Sequence, residues 1–252
     1  MSRDARSGSL WADPEWVGST GSTNADVRRR ALAGEPEGLV LSADEQTEGR
    51  GRLGRSWTAP RGSGLAVSVL LRPVSRPAAQ WGWLPLLVGS AVAAAVTDQT
   101  GLSIGLKWPN DVMVGDKKLG GVLVERVDTE LGPAAVVGVG LNVSLPRDLL
   151  PVPSATSLLA EGVSCHRRPL LAAYLDSLEV RYRSWSAGES PRAAYRAQCS
   201  TIGREVRVML PGGVADVLGR AVDVDASGRL LVEPDGDGGP VALSSGEVWH
   251  VR

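Results

Sequence analysis

The chain has 252 residues, of which 43% are hydrophobic and 22% are charged, the composition of an ordinary globular protein. This composition excludes a mainly disordered, collagen-like or coiled-coil architecture. The net charge of −1 gives no support for bulk electrostatic binding to nucleic acid or to an anionic membrane. Two cysteines are too few to suggest a disulfide framework or a cysteine-based zinc site. Positive charge is carried by 24 arginines, whereas the three lysines, Lys107, Lys117 and Lys118, fall within one short stretch.

The N-terminal region predicts a flexible tail followed by a helix. Residues 1–15 begin with small and polar residues and lack the apolar segment of a signal peptide. Hydroxyl and amide side chains at Ser22, Thr23 and Asn24 precede good helix formers. We therefore expect a capped helix over residues 25–33.

The longest apolar run, residues 83–96, has only 14 residues. A bilayer span needs about 20 apolar residues, so this run predicts a buried core helix over residues 84–99 rather than a membrane segment. Two further helices are predicted over residues 169–185 and 191–199. We expect a cytoplasmic protein with no membrane partner.

The other apolar runs predict two groups of strands. The first group comprises residues 39–42, 65–71, 104–108, 111–114, 119–127 and 134–143. The second is punctuated by glycine turns, two of them at 212–213 and 237–239, and comprises residues 205–210, 214–224, 230–233, 241–243 and 248–251. This pattern predicts an α+β fold, in which a β-sheet and helices form a first domain, residues 16–198. A small C-terminal β-barrel, residues 199–252, follows.

A glycine- and arginine-rich loop over residues 47–63 shows no hydrophobic periodicity, and long structureless loops are often functional. Its segment 49–54 fits the dinucleotide-binding pattern G-x-G-x-x-G. The segment 49–56 misses the P-loop pattern by one residue, because Arg55 stands where lysine is required. Both motifs need a helix directly after the loop, and the tryptophan, proline and glycines that follow predict none. We therefore expect neither motif to operate here.

The loop nevertheless has the composition of an anion-binding segment. Arginine forks bind phosphate and carboxylate through two parallel hydrogen bonds, and the loop carries four of them, Arg50, Arg52, Arg55 and Arg61. Glycines allow the main chain to approach a ligand closely, and Trp57 can stack on a flat heterocycle. A nucleotide or another anion is the expected ligand. The alternative is a solvated basic loop with a core tryptophan.

Five sequence blocks in order resemble the biotin protein ligases over about residues 16–252. They are Ser22-Thr23-Asn24, the segment 49–57, KWPNDV at 107–112, KLGGVLVE at 118–125 and GVGLNV at 138–143. The resemblance implies a class II synthetase-like mixed sheet with an SH3-like C-terminal barrel. It also implies a two-step reaction, in which biotin and ATP give biotinyl-5′-AMP and biotin then passes to a lysine of a carrier domain. Only about 20 residues precede the first block, so the DNA-binding domain of the repressor-type ligases is expected to be absent.

The resemblance also implies roles for individual residues. The expected catalytic residues are Lys107, Arg50 and Arg52. The expected biotin-binding residues are Ser22, Thr23, Asn24, Gln46, Arg50, Gly51, Arg52, Lys107, Gly120 and Gly121, the last two because a side chain there would collide with biotin. The expected ATP- and adenylate-binding residues are Arg50, Arg52, Arg55, Trp57, Lys107, Asn110 and Asn142. Leu53 departs from the family loop, which commonly reads G-R-G-R-R-G-R.

ATP with Mg²⁺ and the substrate biotin are the implied ligands, without a permanently bound metal. The implied protein partner is the biotin carboxyl carrier domain of an acyl-CoA carboxylase, and no nucleic acid partner is expected. We expect residues 47–61 to be mobile in the empty protein and to become ordered over the adenylate. His166 and His250 lie outside the motifs and predict surface or packing positions.

Two other functions stay open at this point. A lipoate or octanoyl transferase would share the fold class, although the KWPND block and the arginine-rich loop favour biotin. A biotin sensor without transfer activity would share the binding residues. The presence of Lys107 together with Arg50 and Arg52 argues against lost chemistry.

Overall fold

The computed structural model describes residues 8–210, 212, 215–235 and 238–251. Within these residues the first sheet has seven strands: β1 (Glu15–Val17), β2 (Val40–Ala43), β3 (Gly64–Leu71), β4 (Gly105–Lys107), β5 (Asp111–Val114), β6 (Lys117–Thr129) and β7 (Gly132–Asn142). Their order is β1-β2-β3-β7-β6-β5-β4, and every neighbouring pair is antiparallel except β1 with β2. The sheet is therefore mixed, as predicted.

The described residues form four α-helices: α1 (Thr23–Leu32), α2 (Trp83–Thr100), α3 (Arg167–Ser186) and α4 (Arg192–Gln198). Helices α1 and α2 pack on the sheet, and α3 and α4 pack against α2. Alternate residues of a strand face opposite sides, so β3 contributes to two separate cores. Its Leu70 packs in a small core with Val27 and Ala31 of α1. Its Val69 and Leu71 belong to the large core that contains α2 and α3.

Helix α2 is buried along most of its length, because it lies between the sheet and α3 and its residues are apolar on nearly every side. The predicted core helix is therefore confirmed. Among the described residues, no helix combines the length and the hydropathy that crossing a membrane would require.

The second sheet is antiparallel and has the order β11-β10-β9-β8-β12. Its strands are β8 (Glu205–Met209), β9 (Val217–Val224), β10 (Leu230–Pro234), β11 (Val241–Leu243) and β12 (Glu247–His250). The five predicted C-terminal strands are confirmed with shifts of a few residues at their ends, while an SH3-like closure stays a prediction. Predicted features at residues 1–7, 211, 213–214, 236–237 and 252 lie outside the described residues.

The two sheets share one apolar core rather than meeting at a polar boundary. Val206, Val232 and Val248 of the C-terminal sheet belong to the same buried cluster as α2. Indole N–H groups also join the two parts: Trp83 Nε1 donates to the Ala226 carbonyl at 3.0 Å, and Trp108 Nε1 donates to the Gly228 carbonyl at 3.1 Å. The boundary near residue 199 therefore separates two sheets but not two cores.

The N-terminal segment departs from the prediction of a flexible tail over residues 1–15. Trp11 is buried, and its Nε1 donates to the Leu175 carbonyl of α3 at 2.9 Å. The backbone N–H of Leu10 donates to Glu179 Oε1 at 3.1 Å, and residues 15–17 form the unpredicted strand β1. The expectation is wrong for residues 8–15, because a single buried tryptophan fixes the segment on α3.

Candidate active site

A cavity of about 590 Å³ opens between the first sheet, the 49–57 loop and strand β12. It brings together every residue that the sequence nominates for catalysis, biotin binding or nucleotide binding except Gly120. Its lining thus includes Ser22, Thr23, Asn24, Gln46, Arg50, Gly51, Arg52, Arg55, Trp57, Lys107, Asn110, Gly121 and Asn142. A neighbouring cavity of about 540 Å³ shares the loop and reaches the start of α2 and Glu125.

One end of the large cavity is a polar cradle at the start of α1. The backbone N–H and the hydroxyl of Thr23 donate to Gln46 Oε1 at 2.8 and 3.0 Å. The buried Ser68 of β3 places its Oγ 2.6 Å from Asn24 Oδ1, and Asn24 Nδ2 donates to Glu125 Oε2 at 2.7 Å. Each side chain is thereby held in one orientation, which suits recognition of a neutral polar ring.

Ser22 occupies the N-cap position of α1, but its hydroxyl makes no capping hydrogen bond. The helix begins at Thr23, two residues earlier than expected, and the Ser22 backbone carbonyl accepts from Asp26 N at 3.0 Å. The buried Ser22 side chain lines the cavity and makes no capping hydrogen bond, so its hydroxyl is available to a ligand.

The arginine loop, residues 49–57, is folded back on itself over the cavity. Arg50 and Ser56 form an isolated β-bridge, and Trp57 N donates to the Gly49 carbonyl at 2.8 Å. A Cβ at Gly49 would lie 2.3 Å from the Trp57 carbonyl, so only glycine fits this turn. Arg52 is half-buried, and its Nη1 donates to Asn110 Oδ1 at 3.2 Å.

Lys107 ends the edge strand β4 and is half-buried at the cavity. Burial lowers the pKa of the Lys107 ammonium from its ordinary value, although the Asp111 carboxylate partly opposes this effect. Burial lowers the pKa of Arg52 as well. Asp111 is also paired with Lys118 at 2.5 Å. Three basic groups and one acid therefore meet at this end of the cavity, where an anionic ligand would be stabilised.

Trp57 and Asn142 lie at the side of the cavity formed by β7. The Trp57 indole lies against the backbone of Gly140, where a Cβ would come within 2.5 Å of the ring atom Cε2. Asn142 is buried, and its Nδ2 donates to the Thr156 carbonyl at 2.9 Å. A glycine in β7 thus sets the depth at which the indole sits and leaves an aromatic surface for a flat ligand.

Gly120 differs from expectation, and two other nominated residues, Arg55 and Asn110, make contacts within the protein. A Cβ at Gly120 would meet the Gly140 carbonyl at 2.5 Å, so this glycine permits close approach of β6 to β7 and does not line the cavity. Arg55 pairs with Glu247 of β12. Asn110 ties the turn between β4 and β5 to strand β6, because its Nδ2 donates to the Val122 carbonyl at 2.9 Å, and its Oδ1 accepts from Arg52.

His250 was expected at a surface or packing position, and its place in the structure agrees with that. It is half-buried at the end of β12, with Nε2 3.4 Å from Thr201 Oγ1. Burial lowers the pKa of His250 to about 4, and the nearby charges of Lys107 and Arg204 contribute to the shift. The imidazole is therefore neutral at physiological pH.

Sequence reasoning missed several cavity or supporting residues. Ser68 could have been found as the lone hydroxyl within the apolar strand LAVSVLL. Glu247 and Trp249 of β12 carried no sequence signal, because they follow the main motifs by about a hundred residues. Among the described residues, no group of three or more His, Cys, Asp or Glu side chains is arranged to hold a metal ion.

Comparison with known proteins assigns the chain to a family. Residues 19–142 match the Biotin/lipoate A/B protein ligase family, and residues 201–251 match the biotin protein ligase C-terminal domain. The chain is 44% identical over 251 residues to a biotin--[acetyl-CoA-carboxylase] ligase of Mycobacterium tuberculosis, covering 97% of this chain and 91% of that one. A ligase of the same name from Paracoccus denitrificans is 33% identical, with 91% and 97% covered.

A solved structure agrees with these sequence matches. The biotin protein ligase from Aquifex aeolicus in complex with biotin and ATP superimposes with a TM-score of 0.79 at 28% identity, covering 95% of this chain and 98% of that one. The likeness extends over both sheets, as does the sequence identity. This chain therefore belongs to the biotin protein ligases of the Biotin/lipoate A/B protein ligase family.

Proposed function

We propose that this protein activates biotin with ATP to biotinyl-5′-AMP and then transfers biotin to a lysine of a carrier domain. One observation carries the proposal: Lys107, Arg50 and Arg52 line the same cavity as the polar cradle at the start of α1. A cradle for a neutral ring beside a cluster of cationic groups is the arrangement that joining biotin to a nucleotide requires. Several relatives with the name biotin ligase support the same activity.

The first step joins two anions. The biotin carboxylate attacks the α-phosphorus of ATP, a new carbonyl-oxygen-to-phosphorus bond forms, and pyrophosphate leaves. Lys107 and Arg52 are both half-buried at this cavity, where a positive charge interacts more strongly with an anion than it does in water. We propose that they stabilise the carboxylate and the phosphate oxygens as negative charge builds up on those oxygens during the reaction. Arg50, exposed on the arginine loop, would add a third cation once the loop closes.

The second step is acyl transfer to an amine. The deprotonated amine of the carrier lysine attacks the acyl carbon of the adenylate, and a carbon–nitrogen bond forms. AMP leaves with the electrons of the broken carbon–oxygen bond, and the nitrogen loses one proton to solvent. We propose that the arginine loop retains the adenylate until the carrier arrives. Trp57 and Asn142 would contact the nucleotide, while Ser22, Thr23, Asn24, Gln46 and Gly121 would contact biotin.

Further parts of the proposal concern ligands and location. Mg²⁺ would enter as the complex with ATP and be held mainly by phosphate oxygens, since ATP-dependent enzymes commonly bind magnesium through few protein ligands. The name of the Mycobacterium tuberculosis relative supports a carboxyl carrier domain of an acyl-CoA carboxylase as the acceptor. We place the reaction in the cytoplasm, where ATP and newly made carrier protein are available.

Mass spectrometry of a purified carrier domain tests the proposal directly. After incubation with this protein, ATP, Mg²⁺ and biotin, the carrier is expected to gain the mass of one biotinyl group, and omission of ATP is expected to prevent the gain. Thermal shift measurements with biotin and with lipoate distinguish the lipoate transferase alternative, because biotin alone should raise the melting temperature. Binding of biotin without any modification of the carrier would support a sensor instead.

A further inference from the structure

Three exposed apolar side chains border the same cavity, and together we name them the apolar rim. They are Leu53 of the arginine loop, Val152 of the segment after β7 and Trp249 of β12, with exposed fractions of 57%, 50% and 54%. They come from segments about a hundred residues apart, so only the fold brings them to one cavity. Exposed apolar side chains that converge in this way mark interaction sites more often than scattered ones do.

Leu53 is held in an unfavourable conformation. Its φ of 55° lies in the left-handed region, and within the described part of the chain it is the sole non-glycine residue with a positive φ. Branched side chains rarely adopt this conformation, and such strain is concentrated at functional sites. The side chain gains little burial in return, because more than half of it is exposed at the edge of the cavity. Packing within the protein therefore does not explain why an exposed leucine adopts this conformation, whereas contact with a binding partner would explain it.

Trp249 lies on the cavity side of β12. Side chains two residues apart in a strand share a face, so Trp249 lies on the same face as Glu247, whose carboxylate pairs with Arg55 of the arginine loop. The residue between them, Val248, is buried in the core. The exposed indole therefore lies on the side of β12 that faces the arginine loop.

The second half-reaction explains why an apolar surface would stand at this place. The acceptor amine is carried on a flexible four-carbon stem, so the backbone of the acceptor domain must come against the cavity opening before the amine can reach the adenylate. Tryptophan is among the residues that contribute most to binding at protein interfaces. We infer that the apolar rim, Leu53, Val152 and Trp249, is the surface on which the carrier domain docks, an inference that rests on the proposed function.

The test separates docking from chemistry by using two acceptors. Trp249→Ala and Val152→Ser are each assayed for pyrophosphate release with biotin and ATP. They are then assayed for transfer from the preformed adenylate either to the carrier domain or to hydroxylamine, a small amine that needs no docking. Leu131→Ser, which changes an exposed leucine at the β6–β7 turn away from the cavity, is the matched control.

Trp249→Ala is expected to raise the KM for the carrier about tenfold, the effect of losing one strong interface contact. The KM for ATP and the rate with hydroxylamine should stay at the wild-type values, and Leu131→Ser should change nothing. An unchanged KM for the carrier overturns the inference. A raised KM for ATP also overturns it, because Trp249 would then contact the nucleotide. If the wild-type protein modifies hydroxylamine but no carrier, the proposed function fails, independently of the rim.

Discussion

Arg55 of the arginine loop and Glu247 of β12 form an ion pair that connects the loop to the C-terminal sheet. The two residues are 192 positions apart, so the contact exists only in the folded chain. Through it, the C-terminal sheet restrains the segment that we expect to close over the adenylate. Exposed pairs of this kind contribute about 0.2–1 kcal/mol, enough to bias a loop without locking it.

Reversal of the charge at position 247 tests this restraint. We expect Glu247→Arg to release biotinyl-AMP about two- to fivefold faster, because the loop loses its partner and meets a like charge. The double variant Arg55→Glu with Glu247→Arg should recover most of the wild-type rate. Glu233→Arg, an exposed carboxylate of β10, is the control. Additive losses in the double variant would mean that the pair does not couple the two elements.

Removal of the Lys107 ammonium should abolish adenylation without unfolding the protein. We expect Lys107→Ala to lower the rate of pyrophosphate release at least about a hundredfold, as loss of a preorganised charge at a reacting group does. Lys117→Ala removes a neighbouring ammonium that does not line the cavity and should keep wild-type activity. Near-normal pyrophosphate release from Lys107→Ala would exclude this residue from the mechanism.

Titration of Lys107 should make the rate of adenylation depend on pH. Because burial lowers the pKa of Lys107, its positive charge is present at lower pH and is lost as pH rises through a value below the ordinary 10.5. We expect the rate of adenylation to fall on this alkaline limb. Lys107→Arg keeps its charge and should move the limb to higher pH, even at a lower maximal rate. Coinciding alkaline limbs in the two proteins would contradict this assignment.

Arg52 should matter for retention of the intermediate. We expect Arg52→Gly to keep the fold and to release biotinyl-AMP at least about tenfold faster, since a guanidinium held by Asn110 no longer contacts the phosphate. Arg61→Gly, outside the cavity lining, should retain the wild-type rate.

Limited proteolysis should cut residues 47–61 readily in the free protein and slowly in the adenylate complex. Equal cleavage of both would argue against ordering of the loop.

Alanine substitutions at two glycines of β7 should affect the binding of biotin and of ATP differently. A methyl group at Gly138 would lie 2.2 Å from Asn24 Oδ1, and one at Gly140 would lie 2.5 Å from the Trp57 ring. We expect Gly138→Ala to raise the KM for biotin and Gly140→Ala to raise the KM for ATP, each about tenfold, the cost of a modest steric shift. Gly239→Ala, where a Cβ meets no atom within 4 Å, is the control. If Gly138→Ala raised the KM for ATP and Gly140→Ala raised the KM for biotin, our assignment of the two binding regions would be wrong.

Acid should destabilise the protein partly through His250. Its pKa is about 4 in the folded state and 6.5 in the unfolded state, so the unfolded chain binds the extra proton between these values. Stability is therefore lost as pH falls from about 6.5 towards 4. We expect His250→Gln to reduce this loss by about 1 kcal/mol after allowance for solvent screening. Urea unfolding at pH 7 and at pH 4.5 measures the free energy of unfolding of the wild-type protein and of His250→Gln. An equal decrease in both proteins would contradict the prediction.

Much of the fold and site could be predicted because the relevant signals are local. Apolar runs indicated β3 and β7, and the clustered lysines drew attention to β4, whose Lys107 does line the cavity. Contacts that span the chain left no such pattern. Glu247 is an ordinary surface-type residue in sequence, and Trp11 stands in a segment whose polar composition predicts a tail. Gly120 was predicted to leave room for biotin, but it leaves room for the backbone of β7. The sequence could not show this, because the pairing register of a strand cannot be read from that strand alone.

The indole hydrogen bonds of Trp83 and Trp108 limit how this protein can be dissected. A fragment that stopped near residue 199 would leave both N–H groups without acceptors and would uncover aromatic side chains that are buried in the whole chain. Such a fragment should aggregate rather than serve as a minimal enzyme. Fusion partners and labelling tags are better placed at the termini, and domain exchange between relatives should carry residues 83, 108, 226 and 228 together.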